Sequence, residues 1–133
     1  MFPQKLWLRL ATLFALILIF SPRISSQADV TVSLIQLIAN PEKYDGEHFG
    51  IIGFLRLEFE GNRLYLHEED YKNALRDNSV GLDVTRKQRQ EFEDRNMHYV
   101  LVAGTFKAGK RGSSQANGAM ADIRSITIWP IQR

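Results

Sequence analysis

Cysteine is absent from the 133 residues, which excludes disulfides, thiolate metal sites, cysteine nucleophiles and a lipid-modified N-terminal cysteine. Histidine is scarce: His48, His67 and His98 are the three, no two stand at metal-ligand spacing, and His-Glu-x-x-His does not occur. The run Glu68-Glu69-Asp70, with Asp77 and Asp83, lacks the Asp-x-Asn-x-Asp-Gly pattern of a calcium loop and reads as a solvated helix start. Gly-x-Ser-x-Gly is missing, and Ser113 and Ser114 sit in a glycine-rich stretch with no base indicated. Lys107-Ala108-Gly109-Lys110-Arg111-Gly112 is not followed by the Gly-Lys-Ser/Thr of a phosphate loop. No long repeat is visible, which sets solenoids and propellers aside. No catalytic group, metal or cofactor is therefore expected.

A single long apolar run is present, at the start. Lys5 and Arg9 make a positive n-region, Leu10 to Phe20 is eleven residues without charge, and Ser26-Gln27-Ala28 fits a small-x-small cleavage pattern. The run is short for a membrane span of about 20 residues. Residues 1–28 are therefore read as a signal peptide cut between Ala28 and Asp29, with an uncleaved inner-membrane anchor as the alternative. The expected location is periplasmic or secreted, touching membrane only through an uncleaved leader. The formal charge of +2 belongs to this leader: without Lys5, Arg9 and Arg23 the chain keeps 14 basic against 15 acidic residues, near −1. That balance argues against nucleic acid as a partner.

Residues 29–133 are enough for one domain without disulfides. Ser33 is a good N-cap, and Leu34, Ile35, Leu37 and Ile38 follow at helical spacing until Asn40-Pro41, predicting a helix over 33–40. Gly46 suits a turn. Residues 47–60 read as a long strand with Phe49, Ile51, Gly53, Leu55, Leu57 and Phe59 on the inner face. Ile52 and Phe54 interrupt the polar face, as a strand bent at glycine requires when it serves two halves of a barrel. Glu60-Gly61-Asn62-Arg63 signals a tight turn and 64–67 the return strand. Residues 68–78 are polar, with Tyr71, Ala74 and Leu75 as anchors for one or two helical turns. Val80, Leu82 and Val84 make a third strand, and Thr85 caps a helix over 86–96 around Phe92. Tyr99 to Phe106 is a buried fourth strand, 107–120 a loop, and 121–129 a fifth strand with a bulge at Arg124-Ser125 before Pro130. This order describes a mainly β protein: a five-stranded OB-fold Greek-key barrel with a short N-terminal helix and a helix between strands three and four.

The stretch Leu37-Ile38-Ala39-Asn40-Pro41-Glu42-Lys43-Tyr44-Asp45-Gly46 followed by a strand is similar to the entry of many exported bacterial OB-fold domains. With Leu57 to Asn62, Leu64-Tyr65-Leu66 and Glu69-Asp70-Tyr71, the chain resembles a group of small uncharacterised exported bacterial proteins over most of residues 30–130. Its likeness to the periplasmic bacterial OB-fold family, thought to bind small ligands or cations, is architectural. His67-x-x-x-Tyr71 matches the haem-attachment spacing of the cytochrome c maturation haem chaperone, but there the motif follows the barrel, whereas here it follows the second strand.

OB-folds bind with the outer face of strands two and three and the loops beside it. Outward parity puts Phe54, Arg56, Tyr65 and His67 on that face, bordered by Lys107, Lys110 and Arg111. The expected function is a non-catalytic binding module for a small molecule, an oligosaccharide or an envelope protein. The alternatives are an interaction module that recruits a partner at a sheet edge and a single-stranded nucleic-acid binder.

Overall fold

Hydrophobic alternation becomes a closed barrel through one strand that serves two neighbours in each of its halves. The computed structural model describes residues 30–59, 61–109 and 117–130. The expected leader and its expected cleavage site at Ala28 and Asp29, and Lys110 and Arg111 of the glycine-rich stretch, lie outside these residues. Strand β2, His48–Arg56, pairs antiparallel with β5, Tyr99–Lys107, from His48↔Thr105 to Phe54↔Tyr99. Its second half also pairs with β3, Arg63–Tyr65. Its first half takes β1, Thr31–Val32, as a parallel neighbour, a strand the sequence pattern does not announce.

β3 continues antiparallel to β4, Ser79–Leu82, and β5 to β6, Ala119–Ile128. The circuit closes where β4 meets β6 in parallel, through Gly81↔Ala119 and Leu82↔Met120 alone. At its margins Gly81 N–H donates to Gly118 O at 2.9 Å and Asp83 N–H to Met120 O at 2.8 Å. The sheet order is thus β1-β2-β3-β4-β6-β5, with β2–β5 making a closed five-stranded barrel of β2 to β6.

Leu55, Leu64, Val80, Leu82, Val100, Val102, Phe106 and Met120 point into the barrel and are buried. One end is plugged by α1, Leu34–Ala39, which inserts Leu34 and Leu37, while Ile35 faces solvent. The helix starts after Ser33 as its pattern predicts, although the serine side chain makes no capping bond. α3, Arg86–Glu91, opens on a reciprocal cap: Gln88 N–H donates to Thr85 Oγ1 at 3.1 Å and Thr85 N–H to Gln88 Oε1 at 3.0 Å. It stops short of residue 96, since Phe92 turns in to the core and a 3₁₀ turn, Glu93–Arg95, follows.

Two expectations are corrected. β2 ends at Arg56, and Phe59 is 85% exposed where inward parity was expected. The cause is a side chain distant in sequence. Asn96 accepts from Leu57 N–H at 2.8 Å and donates to Leu57 O at 3.1 Å, taking the place of a strand neighbour. Arg89 Nη1 then donates to the carbonyls of Glu58 and Phe59, at 3.0 and 2.9 Å. The second correction is in β6, which starts at Ala119, with its irregularity at residues 122–124 opposite Gly104 and Asp122 at φ 46°. The bulge lets Ile123 and Ile126 both reach the core despite their spacing.

Candidate functional site

The aromatic platform expected on the outer face is closed. Phe54 and Tyr65 face each other across β2 and β3 but are only 2% and 5% exposed. Their cover is α2, Glu68–Lys72, which lays Tyr71 over them at ring-centroid distances of 6.2 and 5.6 Å. Tyr99 meets Phe54 edge-on from β5 at 5.5 Å. Arg56 caps the stack, its guanidinium 5.2 Å from the Tyr71 ring centroid and its Nε donating to Glu58 at 2.9 Å. The reading of Phe54 and Tyr65 as ligand-stacking rings is therefore corrected: five residues of helix cover them.

α2 stays down because Asp70 anchors it. The buried Asp70 carboxylate accepts from His67 N–H at 2.9 Å and from Asn78 Nδ2 at 2.8 Å. Glu68 and Glu69 of the acidic run pair with Lys72 at 3.2 and 3.3 Å, and their hydrogen bonds raise its pKa. His67 itself is exposed at the helix start. Its partner in the His-x-x-x-Tyr spacing, Tyr71, is committed to the aromatic stack. Among the described residues no group of three His, Asp or Glu is placed to hold a metal ion.

A different part of the outer surface is open. The cross-strand register puts Arg56, Arg63, Gly81, Ala119 and Lys107 in one row, each opposite the next, across β2, β3, β4, β6 and β5. The neighbouring row, Leu55, Leu64 and Val80, is buried in the core, so this row faces out. Two cations, two residues with almost no side chain, and a third cation thus follow one another across the closing seam. The small residues leave a cleft of about 640 Å³. Its lining includes Arg63, Arg76 and Lys107, the Gly61-Asn62 turn, and Gly109 and Gly118 from the connection between β5 and β6. Arg76 leans in beside Gly61, with Nη2 3.7 Å from where a β-carbon at that glycine would stand.

Arg63 is the fixed member of the set. It is 7% exposed, its Nε donates to Ser79 Oγ at 2.7 Å, and its Nη2 reaches the carbonyls of Arg76 and Ser79 at 3.5 Å. No carboxylate lies within ion-pair distance of Arg63, Arg76 or Lys107 among the described residues, whereas Arg56, Lys72 and Arg95 all have one. Loss of water lowers the pKa of Arg63 below the ordinary arginine value; Tyr65 and Asp77 oppose the shift and Arg76 adds to it. Among the described residues Asp83 is the one carboxylate in the lining, which leaves the cleft two positive charges in excess. At the far edge, Asn117 Nδ2 donates to Asp77 O at 2.7 Å and Ser79 O at 3.0 Å, fastening the connection between β5 and β6 to β4.

Of the residues expected to form a site, Lys107 lines the cleft, Arg56 stands at the end of its row, and His67 lies at the α2 side of the aromatic stack. Arg63 and Arg76 escape the sequence reading. Arg63 falls in a stretch that reads as turn, and Arg76 in a polar stretch without period. Outward parity carried one strand position further, from Tyr65 to Arg63, is the signal that finds the first of them. No family model, no curated protein and no solved structure matches this chain.

Proposed function

We propose that the chain is an exported, non-catalytic binding module of the OB-fold type whose ligand occupies the Arg63–Arg76–Lys107 cleft. One observation carries the reading. The cleft opens between the connection joining the first two barrel strands, at Gly61-Asn62, and the connection joining the last two, at Lys107 to Gly109 and Gly118. Those are the two loops between which OB-folds take their ligands. The OB-fold assignment is supported by the strand order, by the parallel pairing of the third and fifth barrel strands, and by a helix between the third and fourth. Binding is assigned because the lining combines one fixed cation, Arg63, and two exposed ones, Arg76 and Lys107, with small residues. A cleft of this size falls within the range of small-molecule sites, about 300–1,000 Å³.

Export rests on the leader pattern. N-terminal sequencing of protein recovered outside the cytoplasm is expected to start at Asp29; a start at Met1 in a membrane fraction would favour the anchor instead. Binding is tested by titrating isotope-labelled protein with a panel of small charged and neutral compounds while following amide resonances. Ligands are expected to move Gly61, Asp83, Lys107 and Gly118 together. Shifts confined to Phe54, Tyr65 and Tyr71, or none across the panel, would remove the cleft from consideration.

A further inference from the structure

We propose that the cleft is a phosphate-monoester site; this deepens the binding reading above and rests on it. Among the described residues Arg63 has no carboxylate counter-charge. Burying a guanidinium costs free energy unless it is paired, and among the described residues Arg63 is paired only with a hydroxyl and carbonyl oxygens. Those bonds use Nε and Nη2 and lock the planar group against the barrel wall, so its orientation is set before any ligand arrives. Gly81, directly across from Arg63, puts no side chain beside it, and Ala119 beyond it adds one methyl. Arg76 and Lys107 approach the same notch from opposite sides and are exposed, without an ion pair of their own among the described residues.

The charge excess selects among anions. Among the described residues the lining has three cations and Asp83, which matches a ligand of about two negative charges. A phosphate monoester carries about −1.5 to −2 near neutral pH, whereas a carboxylate or a phosphodiester carries one. Arginine is the side chain suited to such a group, because its planar fork meets two phosphate oxygens at once, and lysine adds a point charge. A cleft of about 640 Å³ exceeds what bare phosphate needs, so the phosphate arrives on a larger body of sugar size.

Calorimetry on the exported protein separates the possibilities. The probes are ribose 5-phosphate, inorganic phosphate, gluconate and ribose. Ribose 5-phosphate is expected to bind at least tenfold more tightly than gluconate, inorganic phosphate to compete with it, and ribose to give no heat. Arg76→Gln combined with Lys107→Gln should weaken ribose 5-phosphate at least tenfold with the melting temperature unchanged, since both side chains are exposed. Arg63→Lys, which keeps the charge and loses the fork, should also weaken it. Equal binding of gluconate or ribose overturns the phosphate class while leaving the cleft as a site. Unchanged affinity in the double variant overturns it by placing the probe elsewhere. No binding by any probe overturns it as well, and amide shifts at Gly61 and Gly118 with other compounds then decide whether the cleft survives as a site.

Discussion

Phe106→Ala is expected to cost about 3–5 kcal/mol, the usual range for deleting a buried phenyl ring. For a domain near 100 residues that corresponds to a fall in melting temperature of roughly 15–30 °C. Phe106 has no exposed surface and its ring lies 6.3 Å from that of Phe49, centroid to centroid. Its backbone is committed too: its N–H donates to Glu47 O at 2.9 Å and its carbonyl accepts from Gly46 N–H at 2.8 Å. The barrel wall is therefore pinned and cannot collapse into the void, which puts the loss at the upper end of the range. The ring also backs the cleft, since a β-carbon at Gly118 would stand 2.6 Å from its Cζ. Phe106→Leu retains most of the volume and should lose about 1–1.5 kcal/mol. Thermal unfolding followed by circular dichroism gives both values, and a drop under about 5 °C for the alanine variant would mean that the ring is not a core element.

Gly53→Ala adds one methyl group and is expected to cost about 3 kcal/mol, near the top of what overpacking usually costs. An ideal β-carbon there would stand 2.6 Å from Tyr65 O and 2.7 Å from Leu64 Cγ. One obstacle is backbone, so β3 would have to move away from β2, carrying Arg63 with it. Gly46 supplies the control. It sits at φ 77° with nothing within 4 Å of where a β-carbon would stand, so Gly46→Ala meets only the backbone penalty of about 1 kcal/mol. Urea unfolding of the pair measures the difference. If both variants lose the same amount, β3 does not press on β2 as closely as these distances state.

The close approach at Gly53 is legible in the sequence, because a glycine between apolar residues on both faces has few other uses. So are the helix after Ser33, the helix capped by Thr85 and the continuous apolar run of β5, each carried by residues close together in the chain. What escapes depends on partners far apart. Phe59 reads as inward because alternation holds through it, yet Asn96, distant in sequence, takes the Leu57 backbone and ends the strand. Phe54 and Tyr65 read as open because a short polar helix does not announce that Tyr71 will lie across them. Tyr71 is singled out as an anchor by its residue type, but Ala74 and Leu75, grouped with it, are exposed. Within the site, parity finds Arg56, and position in the connection after the fourth barrel strand finds Lys107. Arg63 is concealed by the turn residues before it, and Arg76 gains meaning only when Gly61 is folded beside it. The row of five outward residues exists only in the register of four strand pairings.

The seam between β4 and β6 gives that row a mechanical meaning. Closure there rests on two residue pairs, while β3 and β4 carry Arg63 and the nearby Arg76 on one bank and β5 carries Lys107 on the other. A dianion held by all three would bridge the banks as a reversible cross-link, in a chain that has no cysteine to make a permanent one. Occupancy at 100 times Kd would add about 2.7 kcal/mol to the folded state. The bound barrel would then be harder to open, and harder to digest, than the empty one, so that the survival of the protein would follow the supply of its ligand.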